Sequence, residues 1–166
     1  MYKKIKKILK KKKKKKIVSL TAYSKNIAQI LDKYCDITLV GDSVANVLYG
    51  MRNTHKISLD TIIQHSISVR KGIKKSLLVV DMPKGSYQNP SQAKKNAKLI
   101  FKKTNCDAVK IESNNKNFKI IREITKAKIP VMGHIGYTPQ FKNTFKVEGK
   151  KKQEVKKLIK ESISIE

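Results

Sequence analysis

The amino-acid sequence predicts an α/β fold, a parallel sheet whose strands are joined by crossover helices. Two observations carry this. Short apolar runs alternate with longer stretches of helical periodicity, five times along the chain. A polar residue capable of chemistry follows four successive apolar runs, where the carboxyl ends of parallel strands would gather. Crossovers between parallel strands are right-handed, which leaves an open doubly wound sheet or a closed barrel.

Each element has its own signal. Residues 17–22 read as a strand, and residues 26–34 as a helix with Ile27, Ile30, Leu31 and Tyr34 on one stripe. Residues 37–40 form a second strand. Ser58 or Asp60 caps a helix carrying Ile62, Ile63, Ile67 and Val69 that ends near Gly72. Residues 77–80 are a third strand, and Ser91 opens a helix with Ala93, Ala97, Ile100 and Phe101 inward. Residues 108–111 are a fourth strand, 118–127 a helix, and Pro130 starts a fifth strand. A helix over 153–165, with Val155, Leu158, Ile159 and Ser162 on one side, follows. Residues 1–16 hold eleven lysines and are expected to be a leader, with Ile5, Ile8 and Leu9 on a short amphipathic helix. The unbroken lysine block after it is expected to fray, because like charges repel at helical spacing. Residues 17–166 form one domain without an evident linker.

Composition narrows the function classes. The 166 residues carry 39 Lys and Arg against 12 Asp and Glu, a net charge of +27, so the surface attracts polyanions whatever the fold. Arginine occurs only at Arg52, Arg70 and Arg122, and aromatics are 6% with no Trp. A nucleic-acid reader would use arginine forks and stacking rings, so specific nucleic-acid binding is not expected. A joint excess of Lys, Ile and Asn matches compositional drift on solvated faces, with a basic polyanion-binding module as the rival reading. Cys35 and Cys106 have no pairing pattern, which suits a reducing cytoplasm. No apolar run approaches the ~18 residues of a membrane span.

The candidate site lies at the strand ends. Asp42, Asp81 and Glu112 each end a different strand and would converge. Three like charges in one pocket need a compensating cation, and hard oxygen ligands favour Mg2+. Lys110 and Glu112 are two apart and share a face of their strand. Lys110 either grips a substrate carboxylate or pairs with Asp81 or Glu112. His134, flanked by Gly133 and Ile135-Gly136, is either a ligand contact or a satisfied interior residue. His55 and His65 carry no spacing signal, and the glycines form no nucleotide-binding fingerprint.

These motifs occur in a telling order: Leu20-Thr-Ala-Tyr23, Leu39-Val-Gly-Asp-Ser43, Val80-Asp-Met-Pro83 with Ser86-Tyr87, Val109-Lys-Ile-Glu112, Pro130 through Gln140, and Lys146-Val-Glu-Gly149. From about Ile17 onward the chain resembles the ketopantoate hydroxymethyltransferases. The resemblance implies a (β/α)8 TIM barrel of the phosphoenolpyruvate/pyruvate type, truncated here after about five β/α units. It implies hydroxymethyl transfer from 5,10-methylenetetrahydrofolate, the co-substrate, to α-ketoisovalerate, giving ketopantoate for pantothenate synthesis. By position it implies Mg2+ on Asp42, Asp81 and Glu112, stabilising the enolate. Ser43, Lys110 and His134 would contact the ketoacid. It also implies a homo-oligomer and a general base, a glutamate on a later strand, expected beyond Glu166. The chain departs from the family pattern at Ser24-Lys25, Val44-Ala-Asn46, Lys84-Gly85 and Ser113-Asn114. Stopping before strands six to eight fits a fragment or interrupted reading frame, with a split enzyme or an inactive relic as alternatives.

Overall fold

The computed structural model describes residues 2–12, 14–113, 117–142 and 146–166. Five strands, β1 (Ser19–Thr21), β2 (Ile37–Val40), β3 (Leu77–Asp81), β4 (Ala108–Glu112) and β5 (Val131–His134), form one parallel sheet in the order β1-β2-β3-β4-β5. Helices α2 (Lys25–Leu31), α4 (Leu59–Gly72), α5 (Pro90–Thr104), α6 (Phe118–Lys126) and α7 (Lys152–Ile165) follow the strands in turn. Sequential order with a helix after every strand is the winding of a (β/α) barrel, and it matches the predicted alternation.

The helices start and stop where local chemistry dictates. Ser58 Oγ accepts from the Thr61 N–H at 3.0 Å and so caps α4, whose last turn carries Arg70 and Lys71. α5 opens at Pro90, one residue before the expected Ser91, and Asn89 caps it: its Oδ1 accepts from the Gln92 N–H at 2.9 Å. Sequence periodicity missed a one-turn helix, α3 (Val44–Val47), directly after β2. One turn is too short for a helical period to register.

The period-two alternation of the strands divides the sheet into two faces. Val40, Leu78, Val80, Val109 and Ile111 pack with Ile62, Val69, Ala97, Ile100 and Ile124 of the helices into the main core. Each buried Ile, Leu or Val contributes roughly 1.5–3 kcal/mol. Ile37, Leu77, Val79 and Ala108 point the other way, into what is the interior side of a barrel. By the same alternation Asp81, Lys110, Glu112 and His134 share that interior face, further toward the strands' carboxyl ends.

The amino-terminal helix α1 (Tyr2–Lys11) closes the opposite end. Its Ile5 and Ile8 pack on the interior cluster of Ile37, Leu77, Val79 and Ala108. Lys4 Nζ donates to the Ser76 carbonyl at 2.8 Å and Lys11 Nζ pairs with Asp36 at 2.5 Å. The lysines expected to form a leader are thus partly tied to the floor of the sheet. Asp32 stiffens that floor, accepting from the N–H groups of Lys74, Lys75 and Ser76 and from Ser76 Oγ. Among the described residues no helix is long and apolar enough to cross a membrane.

Candidate active site at the carboxyl end of the sheet

Asp81 and Glu112 end β3 and β4, Asp42 follows β2 by two residues on the same rim, and each is at most 6% exposed. They are linked rather than merely near. The Asp42 N–H donates to Asp81 Oδ2 at 3.1 Å, and Lys110 Nζ donates to Asp81 Oδ1 at 2.5 Å. The strand register explains the second contact, since Asp81 lies opposite Lys110 across the β3–β4 pair. Glu112 lies opposite His134 in the β4–β5 pair.

Gln140 ties the arrangement together. Gly136, at a φ of 92°, lets the chain turn after β5 so that the following loop returns over the sheet end. Gln140, 1% exposed, then donates through its side-chain amide to Asp42 Oδ2 at 2.9 Å and to the Met82 carbonyl at 3.1 Å. Its backbone N–H donates to Glu112 Oε2 at 2.9 Å, and its side-chain oxygen accepts from the Tyr87 hydroxyl. Two of the three carboxylates are therefore held by one residue. Ser43 Oγ shares a 2.7 Å hydrogen bond with Tyr23 OH, and Asn117 Nδ2 donates to the Glu112 carbonyl at 2.7 Å.

The electrostatics are those of a site crowded with acid. Burial pushes the Asp81 carboxyl up to about 6, although the Lys110 ammonium pulls it down. Burial drives Glu112 up to about 8; the Gln140 N–H opposes this, and Asp42 and Asp81 add to it. Burial and the Lys110 charge lower His134 to about 4. The 3.7 Å approach of His134 Nδ1 to Glu112 Oε1 is therefore no ion pair at neutral pH. That nitrogen is buried without a hydrogen-bond partner among the described residues.

The donor set of Asp42, Asp81 and Glu112 is all hard oxygen, and burial penalises the bare charges of Asp81 and Glu112, which suits a small divalent cation. As the side chains stand, no three His, Cys, Asp or Glu among the described residues are grouped to hold an ion. Lys110 engages Asp81, and the Gln140 amide engages Asp42. A cation entering here would have to displace at least one of these contacts. The predicted residues Asp42, Ser43, Asp81, Lys110, Glu112 and His134 all gather at this strand end. Gln140, Tyr87 and Tyr23 stand inside motifs noted in the sequence, yet no spacing rule revealed their contacts, which depend on loops folding back. His55, which carried no signal, is tied to the same loops: its Nε2 bonds the Pro139 carbonyl at 2.9 Å.

The family model of ketopantoate hydroxymethyltransferase matches residues 2–166. The chain belongs to the ketopantoate hydroxymethyltransferase family. The match includes the lysine-rich start, where the motifs themselves began only near Ile17. A 3-methyl-2-oxobutanoate hydroxymethyltransferase of Pelagibacter ubique is 53% identical over all 166 residues, which cover 65% of that protein. One from a Chelativorans species is 48% identical over 130 residues, 78% of this chain and 46% of that protein. The chain thus spans about half to two thirds of the length of these relatives. Among solved structures, a phosphoenolpyruvate phosphomutase from Streptomyces platensis superposes with a TM-score of 0.64 at 12% identity, covering 79% of this chain and 52% of that one. A 2,3-dimethylmalate lyase of the PEP mutase/isocitrate lyase superfamily gives a TM-score of 0.59 at 13% identity, covering 78% and 52%. The five β/α units therefore share the fold of the corresponding part of these proteins.

Proposed function

We propose that this chain supplies the ketoacid half of a hydroxymethyltransferase site, in which a one-carbon unit passes from 5,10-methylenetetrahydrofolate to α-ketoisovalerate. The observation that carries the reading is the gathering of Asp42, Asp81 and Glu112 beside Lys110 at one strand end, in a chain of this family. Asp42, Asp81 and Glu112 would hold Mg2+, which supplies Lewis-acid charge toward the keto and carboxylate oxygens of the substrate.

The protein groups divide the remaining work. Lys110 sits on the same interior face, and its ammonium exchanges the Asp81 oxygen for the substrate carboxylate. Mg2+ held there would supply the charge that balances Asp81 and would leave Lys110 free for that role. Ser43, oriented by the Tyr23 hydroxyl, donates to the same carboxylate. His134, kept neutral by burial, offers a hydrogen bond without adding charge. Gln140 fixes Asp42 and Glu112 relative to one another. The group that takes the C3 proton is assigned to none of the residues of this chain.

Calorimetry with α-ketoisovalerate tests the reading. Binding should require Mg2+, and Lys110→Met should weaken it at least tenfold, the loss of one charge-assisted hydrogen bond of roughly 1.5–3 kcal/mol. Equal affinity with Mg2+ and with chelator would end it.

A further inference from the structure

The amino-terminal end of the sheet carries a cavity of its own, at the far end of the strands from the carboxylate cluster. It has a volume of about 340 Å3, within the range of small-molecule pockets. Helix α1 forms one wall, the turn between α2 and β2 another, and the residues entering β1 and β3 complete it. Ile8, Val18 and Leu77 supply apolar lining, and the exposed ring of Tyr34 stands beside them.

The charge around this cavity is lopsided. Six lysines line it, Lys4, Lys7, Lys11, Lys16, Lys33 and Lys75, against Asp32 and Asp36. Both carboxylates are already engaged. Asp32 accepts from the N–H groups of Lys74, Lys75 and Ser76. Asp36 accepts from Lys11 Nζ at 2.5 Å and from the Val18 N–H at 3.1 Å. Lys4 is held by the Ser76 carbonyl at 2.8 Å and lies 3.7 Å from Asp107. Lys7, Lys16, Lys33 and Lys75 are left, and they make no side-chain hydrogen bond or ion pair among the described residues. Lys7 exerts only a longer-range pull on Asp36.

Drift toward lysine scatters charge over solvated faces, but here the docking of α1 gathers it around a cavity. Ile5 and Ile8 pack on the sheet floor, and the helical period brings Lys4, Lys7 and Lys11, at i, i+3 and i+7, to one side of the helix. Gathered ammonium groups repel one another, and an anion carrying several charges in a small volume removes that repulsion. The ammonium is a compact point charge with rotatable donors, suited to phosphate oxygens. We propose that this cavity is a second binding site, for a compact oligophosphate anion held by Lys7, Lys16, Lys33 and Lys75. The anion bridges α1 to the segments that enter β1, β2 and β3. The site is remote from Asp42 and Asp81, so the proposal stands apart from the hydroxymethyl-transfer reading.

The test is calorimetric titration of the full chain with inorganic tripolyphosphate, without divalent cations. Salt at about 0.15 M, where the screening length is about 8 Å, suppresses diffuse attraction to the basic surface. One saturable site per chain is expected. Lys7→Gln combined with Lys75→Gln should weaken it about tenfold or more, the loss of charge-assisted hydrogen bonds. Lys95→Gln combined with Lys98→Gln removes the same charge from the exposed face of α5 and should change the affinity less than about twofold. Equal losses in the two double variants, or uptake without saturation, would reveal diffuse attraction only and overturn the inference. A parent chain that binds no tripolyphosphate overturns it as well. A parallel titration with ATP assigns the source of the phosphates, and either result upholds the site. Tighter binding of ATP, with the excess lost in Tyr34→Ala, marks a nucleotide whose base stacks on that ring, and equal binding marks the phosphate chain alone.

Discussion

Gln140→Leu removes one buried side chain without changing its volume much, so the loss reports hydrogen bonding more than packing. Three groups lose their partner: Asp42 Oδ2, the Met82 carbonyl and the Tyr87 hydroxyl. Asp42 and Tyr87 are at most 6% exposed and Met82 is fully buried, so water has little access to replace the amide. At about 1–3 kcal/mol for each orphaned group, with partial relaxation, the loss is roughly 3–6 kcal/mol. For a domain of this size each kcal/mol lowers the melting temperature by roughly 2–4 °C, so a fall on the order of 6–24 °C is expected. Urea unfolding followed by circular dichroism gives the free energy directly, with an unchanged m-value showing that the same surface is exposed. The backbone N–H to Glu112 survives the substitution, so the loop should still close. A loss below about 1 kcal/mol would mean that the amide does not bridge Asp42, Met82 and Tyr87, and the reasoning fails.

Two further outcomes follow from the frame around the site. Burial pushes the Asp32 carboxyl up, but the N–H groups of Ser76, Lys75 and Lys74 outweigh it and hold the group below the usual carboxylate range. A carboxyl whose folded pKa lies below the unfolded value of about 4 adds stability that is full above the unfolded value and is lost as pH falls through the folded one. The stability gap between the parent and Asp32→Asn should therefore be full at pH 7 and shrink below about pH 4, read from urea midpoints. Gly72→Ala should destabilise by roughly 1–3 kcal/mol in thermal melts. Its new Cβ would overlap the Lys25 carbonyl oxygen and approach Gln29 N to 2.9 Å, driving α4 off α2.

Much of this architecture was legible before any coordinates. Strand periodicity is local, so the runs that became β2, β3 and β4 were found nearly to the residue, and with them the terminal carboxylates. Lys110 and Glu112 were bound to share a face once β4 was a strand. The sequence reading left Lys110 between a substrate role and a structural pair, and the β3–β4 register decides what it touches here: Asp81. What escaped was everything made by returning loops. Gln140 is far from Asp42 in sequence and reaches it only because Gly136 turns the chain. The docking of α1 under the sheet was hidden for another reason. Two isoleucines among eleven lysines carry too little apolar signal to outweigh the charge around them.

The central claim is that Asp42, Asp81 and Glu112 serve one divalent ion. Calorimetric titration of Mn2+ into the parent chain and into Asp42→Asn, Asp81→Asn and Glu112→Gln addresses it directly. The account predicts a single site in the parent, weakened about tenfold or more by each substitution, as expected when one charged ligand is lost. A parent that takes up no Mn2+, or three variants that bind it as the parent does, would contradict the claim.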